Sequence, residues 1–225
     1  MVVAFQQATT SGGAGGATTT TTGSHQSVSA GTGLALIFGI TWNGDPGPII
    51  ACNWDNAGTP QAMTLIGSVT PIYGSSVYLG LFGLLNPNPG INLDLLCSWT
   101  NSRAYNSFSA CFSGADQGSF ATTFINFNSN TGHTGTTSSL SITNPSGNLA
   151  VDLFGTSSTP SAPTQTSLIA SGSNVGIGMS YGSASPVPFA WTIGNNASWG
   201  DIGCSISAVS APVTGRAIHL KDSWS

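Results

Sequence analysis

Leu34–Trp42 reads LALIFGITW and Val77–Leu85 reads VYLGLFGLL, two apolar runs that each end at turn-forming residues. Asn43-Gly44 follows the first run and Asn86-Pro87 follows the second, and such pairs are typical of chain reversals. Neither run shows the sustained helical period and the capping residues that would predict a helix. Both runs therefore predict β-strands.

The same pattern recurs along the chain, because apolar and polar residues alternate in short segments that end at Gly, Pro, Asn or Asp. Ser, Thr, Gly and β-branched residues throughout disfavour helices. Many short strands at close spacing predict an all-β fold, a two-sheet antiparallel β-sandwich of jelly-roll-like type. The further predicted strands are Val2–Ala8, Ser24–Ala30, Ile49–Trp54, Ala62–Ser68, Asn92–Trp99, Ser107–Ser113, Thr136–Ile142, Leu149–Phe154, Thr166–Ser171, Gly176–Tyr181, Phe189–Ile193 and Trp199–Val209.

The length of 225 residues suits one large sandwich. We expect residues 1–209 to form a single domain, within which the Gly/Thr tract 11–23 is a flexible loop, with an extended surface strand as the alternative. Residues 210–225 differ in composition and predict a separate C-terminal tail.

The chain is poor in charge: it has no glutamate, seven aspartates and only three basic residues, Arg103, Arg216 and Lys221. Nucleic-acid binding and adhesion to anionic membranes both need clustered Lys and Arg, so neither partner is expected. No apolar stretch is long enough to span a membrane, and no leader is recognised at the N-terminus. A virion component that is made in the cytoplasm and released by lysis would fit these features, which predicts a virion-surface location. An extracellular location is the alternative.

The aspartates are the candidate catalytic groups, because glycoside hydrolysis needs two carboxyl groups that face one sugar bond. They are not paired in the sequence, and those at turns, such as Asp55 and Asp116, are expected to cap backbone groups. We therefore expect structural aspartates and no enzyme activity. The full set is Asp45, Asp55, Asp94, Asp116, Asp152, Asp201 and Asp222.

The histidines are the limiting group for a Ser-His-Asp triad, and all three are expected in loops or in solvent: His25, His133 and His219. No spacing of His, Cys or Asp is typical of a zinc or calcium site. No metal and no cofactor are expected.

The four cysteines, Cys52, Cys97, Cys111 and Cys204, lie in predicted strands. If Asn92–Trp99 and Ser107–Ser113 form a hairpin about Arg103, Cys97 faces the strand that carries Cys111. A Cys97–Cys111 disulfide is then the simplest bridge, with Cys52–Cys204 left over. Four buried free thiols are the favoured interpretation, because no export signal indicates an oxidising compartment.

Six tryptophans are candidates either for the core or for stacking on sugars. Five lie at strand positions that alternate with polar residues, which favours the core. Trp54, in the turn NWDNAG, is the best candidate for a ligand-binding ring.

The tail, SAPVTGRAIHLKDSWS, carries apolar residues next to two of the three basic residues. A frayed terminus is one interpretation. The other is an arm that docks on a neighbouring subunit, because exposed apolar side chains often mark interaction sites. The candidate docking residues are Arg216, Ile218, Leu220, Lys221 and Trp224.

An ordered set of segments across residues 34–209 resembles a β-sandwich of uncharacterised bacterial and phage proteins. The segments are ALIFGITWNGD, IIACNWDNAGTPQAMTLIGS, VYLGLFGLLNPNPGINLDLLCSW, SACFSGADQGS, NLAVDLFG, MSYGSAS and WGDIGCSISAV. Proteins similar to this are phage head-surface, fibre and tail components, and modules of large secreted bacterial proteins. The resemblance implies a fold and a setting on a particle surface, and it implies no catalytic residues.

The leading functional prediction is a non-enzymatic virion-surface protein, a capsid decoration or head-fibre subunit of a tailed phage. Its expected partners are capsid or other virion proteins, and a homo-oligomer is expected, with a trimer favoured. A carbohydrate-binding or adhesive module is the alternative, and an aspartate-based glycosidase is a more remote one.

Overall fold

The computed structural model describes residues 2–11, 18–20, 25–44, 49–55, 57–69, 72, 76–171 and 175–210. The predicted docking residues of the tail, Arg216 to Trp224, lie outside them. The described strands of the first half are β1 (Ala4–Ser11), β2 (Thr18–Thr20), β3 (His25–Val28), β4 (Ala35–Asn43), β5 (Ile49–Trp54), β6 (Gln61–Ala62), β7 (Thr64–Val69), β8 (Val77–Leu85) and β9 (Gly90–Ser113). A one-turn helix, α1 (Phe120–Thr123), precedes β10 (Phe124–Thr137), β11 (Leu140–Ile142), β12 (Leu149–Thr156), β13 (Pro160–Pro163), β14 (Thr166–Ser171), β15 (Gly176–Gly182), β16 (Val187–Phe189) and β17 (Trp191–Ile206).

Each half of the chain builds its own sheet. The first sheet has the order β6-β5-β9-β4-β8-β7, with β1, β2 and β3 also on β9. The long strand β9 folds this sheet into two layers, so that β5, β6 and the first half of β9 form an outer layer over β4, β8 and the second half of β9. The second sheet has the order β10-β17-β12-β15-β14, with β13 on β17. All pairings among the described strands are antiparallel, so the predicted all-β antiparallel sandwich is confirmed. A jelly roll is built from two Greek keys and passes its chain repeatedly between the sheets. Here β1–β9 complete one sheet before β10 begins the other.

The two sheets share one apolar core. Ile37 of β4, Leu79 of β8 and Phe112 of β9 pack with Val151 and Leu153 of β12, and all are fully or nearly fully buried. Gly39 allows the sheets to approach closely, because a Cβ there would lie 2.5 Å from a Leu153 methyl group.

Both sheets are also covered on their outer faces, which explains why β4, β8 and β12 are buried along almost their whole length. On the first sheet, the outward residues Phe38 and Trp42 pack against Trp54 and Trp99 of a layer formed by β5, β6 and the first half of β9. The small sheet β11-β16 packs on the outer face of the second sheet and is its cover sheet. Strands buried on both faces read as continuous apolar runs, as Leu34–Trp42 and Val77–Leu85 do.

The small cover sheet is attached to β10 by side chains. The side-chain amides of Asn126, Asn128 and Asn130 donate to the carbonyls of Thr143, Ser141 and Ser139, at 2.8, 2.9 and 2.7 Å. Successive odd and even residues of a strand point to opposite faces, so three asparagines at every second position meet one partner. These three amides, the asparagine comb, hold the β11 edge of the cover sheet.

The predicted hairpin about Arg103 is wrong, because β9 is a single strand that serves two layers. Its first half pairs with β5 in the outer layer, and its second half pairs with β4 in the first sheet. Cys97 therefore lies opposite Cys52, and these two form the disulfide, with Cα atoms 4.1 Å apart. The predicted Cys97–Cys111 and Cys52–Cys204 pairings are wrong, and Cys111 and Cys204 are buried free thiols.

Replacing both Cys52 and Cys97 by serine should lower the free energy of unfolding by about 2–4 kcal/mol, because the bridge closes a long loop in the unfolded chain. Denaturant titration measures this loss. In the wild type, alkylation under denaturing, non-reducing conditions should label only Cys111 and Cys204. A peptide map that shows label on Cys52 or Cys97 would contradict the pairing.

Within the Gly/Thr tract 11–23, the described residues are Ser11 and Thr18–Thr20. Ser11 ends β1, and Thr18–Thr20 forms β2 against Arg103 and Ser98 of β9. Runs of threonine have good strand propensity, which explains the pairing. Residues 12–17 and 21–23 lie outside the described part of the chain.

Candidate functional site

The fold brings two aspartates together on the outer face of the second sheet. Asp152 of β12 lies opposite Gly203, and Asp201 of β17 lies opposite Phe154, so the two acids are diagonal neighbours on adjacent strands. Each has an exposed fraction of 0%. Diagonal neighbours on one face are close enough for side chains to meet.

Asp152 accepts a full set of hydrogen bonds. Its Oδ1 accepts from the backbone N–H and the hydroxyl of Ser180, both at 2.7 Å. Its Oδ2 accepts from the indole Nε1 of Trp191 at 2.6 Å. Three donors are the environment that a buried carboxylate needs, so the negative charge belongs on Asp152.

Asp201 is much less well supplied with donors. Its Oδ2 accepts from the Ser138 hydroxyl at 3.2 Å, whereas its Oδ1 is buried and has no donor among the described residues. Asp152 is its diagonal neighbour on the adjacent strand, and the charge of Asp152 acts on Asp201. A proton on Asp201 would give its unpaired oxygen a hydrogen-bond partner, because a protonated carboxyl group donates to a carboxylate.

The pKa shifts of the two aspartates also favour a proton on Asp201. Burial raises the pKa of Asp152, and hydrogen bonds from Ser180 and Trp191 oppose that shift. Burial and the charge of Asp152 together raise the pKa of Asp201 well above its ordinary range, against one hydrogen bond from Ser138. Two carboxyl groups this close share a proton, since both cannot ionise cheaply.

Two donors to this pair lie at the junction between the second sheet and the cover sheet. Ser138 lies between β10 and β11, and Trp191 is the first residue of β17, two residues after the end of β16. The two residues also bond each other: the Ser138 N–H donates to the Trp191 carbonyl, and the Trp191 N–H donates to the Ser138 hydroxyl, both at 2.9 Å. The Trp191 ring stacks on Phe154 and fills the space above Gly178. The carboxyl pair thus bonds the junction at which the chain enters and leaves the cover sheet.

Such a pair resembles the carboxyl dyads of acid–base enzymes in its chemistry. It differs from them because both carboxyl groups are enclosed. Catalysis requires a group that reaches a substrate. Asp152 and Asp201 are both fully enclosed, and their carboxyl groups accept hydrogen bonds from within the fold.

The remaining described aspartates bind local backbone and side-chain groups. Asp55 Oδ2 accepts from the Thr59 N–H at 3.1 Å, and Asp94 Oδ1 accepts from the Ala57 N–H at 2.9 Å. Asp116 accepts from the Gly118 N–H and from the Thr122 hydroxyl at the start of α1. The turn role predicted for Asp55 and Asp116 is confirmed, while Asp45 and Asp222 lie outside the described residues.

Trp54 is not an exposed ligand-binding ring, and that interpretation is wrong. Its side chain is fully buried in the outer layer of the first sheet, and its Nε1 donates to the Asn88 carbonyl at 3.1 Å. The Asn88 side chain donates in turn to Asp55 Oδ2. The loop Asn86–Gly90 therefore closes over Trp54. The other four described tryptophans are also buried, as the strand pattern predicts: Trp42, Trp99, Trp191 and Trp199.

The two free thiols have low reactivity near neutral pH. Burial raises the pKa of Cys111 to about 12 and that of Cys204 to about 12, so neither forms the reactive thiolate near neutral pH. His133 is exposed, in agreement with the sequence-based expectation. Within the described residues, no group of three or more His, Cys, Asp or Glu side chains is placed to hold a metal ion.

The described surface includes a shallow pocket and some exposed apolar side chains. The pocket, of about 440 Å³, lies between Val28–Ala30 and Pro89–Ile91. Ile91 at its rim is 80% exposed, and Leu65 and Phe127 are 50% and 42% exposed where β7 meets β10. Isolated exposed apolar residues are common on folded proteins and do not by themselves define a site.

The carboxyl pair is the site that sequence reasoning missed. Asp152 and Asp201 are far apart in the chain, and no spacing rule joins them. The available signal is a single aspartate inside an otherwise apolar strand, in NLAVDLFG and again in WGDIGC. A charged group at a buried strand position needs a partner, and two such strands are candidates to supply one to each other.

Among the described residues, no helix is long and apolar enough to cross a membrane. Comparison of the chain with family models, with curated proteins and with solved structures finds no match in any of the three.

Proposed function

We propose that this chain is a non-enzymatic structural protein of a virion surface, a capsid decoration or head-fibre subunit of a tailed phage. The observation that carries the proposal is the placement of its acidic groups. The aspartate pair of the second sheet, Asp152 and Asp201, is fully enclosed and bonds Ser138 and Trp191 at the junction with the cover sheet. The acids serve the architecture of the fold.

The layered build supports a durable structural role. Four layers of strands pack on three apolar interfaces, one between the sheets and one beneath each cover. The disulfide Cys52–Cys97 ties the outer layer of the first sheet together. Burial of apolar surface is the main stabilising term in folding, and this chain applies it on both faces of both sheets.

The sparse charge supports assembly by shape and apolar contact. Seven acidic and three basic side chains in 225 residues leave little Coulomb energy between subunits. Partners of this kind are capsid or other virion proteins and further copies of this chain, with a trimer as the proposed homo-oligomer. The carbohydrate-binding alternative is not supported by Trp54, because the ring proposed to stack on a sugar is enclosed.

The oligomer should be insensitive to salt. We expect the sedimentation mass of the purified protein to stay constant from about 0.05 M to about 1 M sodium chloride, because there are few ion pairs to screen. Steep dissociation as the ionic strength rises would contradict the proposed mode of assembly. A series in urea at constant salt is the control that shows the oligomer can dissociate.

Fractionation of the native source tests the virion role itself. Antibodies raised against the recombinant protein should detect it in the density fraction that carries nuclease-protected DNA, and immunogold should label the particle surface. Recovery of the protein only in the free-protein fraction would overturn the proposal. Pre-absorption of the antibodies with recombinant protein provides the control.

A further inference from the structure

The cover sheet β11-β16 is fastened at both edges and at its junction with the second sheet. The comb of Asn126, Asn128 and Asn130 holds the β11 edge through neutral amides. On the β16 edge, the Thr164 hydroxyl and the Gln165 amide donate to the Pro188 carbonyl at 3.2 and 2.8 Å. At the junction, the Ser138 hydroxyl and the indole N–H of Trp191 donate to Asp201 and Asp152. Of these attachments, the junction is the one that depends on titratable groups.

We propose that the Asp152–Asp201 pair is a proton-operated latch, which keeps the Ser138–Trp191 end of the cover closed while the two carboxyl groups share a proton and releases it when both ionise. The hydrogen bonds themselves require the proton. Asp152 already accepts three donors, and Asp201 Oδ1 is buried without one, so the closed arrangement is complete only if Asp201 donates to Asp152. Loss of that proton places two like charges side by side in an enclosed space.

In the described part of the chain, the groups that bond the pair are Ser138, Ser180 and Trp191, all neutral donors. None of these three carries a charge that would offset the second ionisation. On the neighbouring strands, Tyr181 and Cys204 point into the core between the sheets, and His133 of β10 is exposed. Release of the Ser138–Trp191 end, which admits water to the pair, is the least costly response.

The direction of the pH dependence follows from linkage. Hydrated aspartates in the open state titrate near the ordinary value of about 4, whereas the closed state holds its proton to higher pH. The closed state is therefore favoured most below about pH 4. Its advantage shrinks as the pH rises through neutrality toward the raised pKa values of the pair.

Amide hydrogen exchange as a function of pH tests the latch in the intact protein. The N–H groups of Ser138, Ser180 and Trp191 all take part in the network and serve as reporters. After correction for the intrinsic rate, their protection should fall by about tenfold or more between about pH 5 and about pH 10. The N–H of Met63, bonded to Cys52 in the first sheet, is the reference and should change much less.

The Asp201→Asn variant is the matched control, because its amide can donate to Asp152 without titrating. It should keep the cover closed and lose most of the pH dependence. The Ser138→Ala variant should shift the profile to higher pH, since removal of a hydrogen bond that lowers the pKa of Asp201 raises that pKa further. Constant protection of the three reporters in the wild type, or a wild-type profile in Asp201→Asn, would overturn the latch.

Discussion

Replacing Asp152 by alanine should lower the free energy of unfolding by about 3–5 kcal/mol, the range expected when one partner of a buried charged network is removed. The substitution leaves the N–H and hydroxyl of Ser180 and the indole N–H of Trp191 without their acceptor. It also leaves Asp201 without the carboxylate to which it donates. Unsatisfied buried donors carry their full desolvation cost, so the loss exceeds that of ordinary hydrogen bonds.

Chemical denaturation of Asp152→Ala and of a matched control, Asp116→Ala, measures the difference. Asp116 also accepts two hydrogen bonds, but at a position where water can replace them. Its replacement should cost about 1 kcal/mol. Equal effects of the two substitutions would show that the enclosed network contributes nothing beyond single hydrogen bonds.

Replacing Trp54 by alanine should also lower the free energy of unfolding by about 3–5 kcal/mol, as for other large aromatic residues in cores. The ring is fully buried beside the disulfide of Cys52 and Cys97, and it supports the loop that carries Asn88. A cavity beneath that loop cannot collapse easily, because the Cys52–Cys97 bridge restrains the strands on either side.

Trp54→Phe separates packing from hydrogen bonding. It keeps most of the ring volume and removes the Nε1 donor to the Asn88 carbonyl, so a loss of about 1–2 kcal/mol is expected. Glycan-array binding measured on the same variants bears on the alternative function. If Trp54→Ala were as stable as the wild type and lost a specific glycan signal, the enclosed role of Trp54 would be wrong and the adhesive function would be favoured.

Local pattern predicted most of the strands because their two-residue period and turn residues are short-range properties. The strands Val77–Leu85 and Thr166–Ser171 are confirmed to the residue, and Leu34–Trp42 is shifted by one. Glycine and asparagine concealed β10, since FINFNSNTGHTG has a composition typical of a loop. Its asparagines are strand residues whose side chains hold β11, a tertiary role that propensity does not describe.

The errors at Cys97 and Trp54 have one cause. Both predictions assume that a strand belongs to one layer, whereas β9 runs from the outer layer into the first sheet. That passage places Cys97 opposite Cys52 and encloses Trp54 beneath a second layer. The carboxyl pair was hidden for a similar reason, because Asp152 and Asp201 meet only through the order of β12 and β17. Long-range strand order is the part of this fold that residue patterns do not contain.

The account depends most on the single proton enclosed between Asp152 and Asp201. Carbon-13 NMR of the aspartate carboxyl carbons, followed from about pH 3 to about pH 10, observes it directly. We predict that one of these two carboxyl groups is still protonated at neutral pH and that the signal of this protonated group is absent from Asp201→Asn. If both carboxyl groups ionised near pH 4, with no protonated carboxyl at neutrality, the latch and the structural role assigned to the acids would be contradicted.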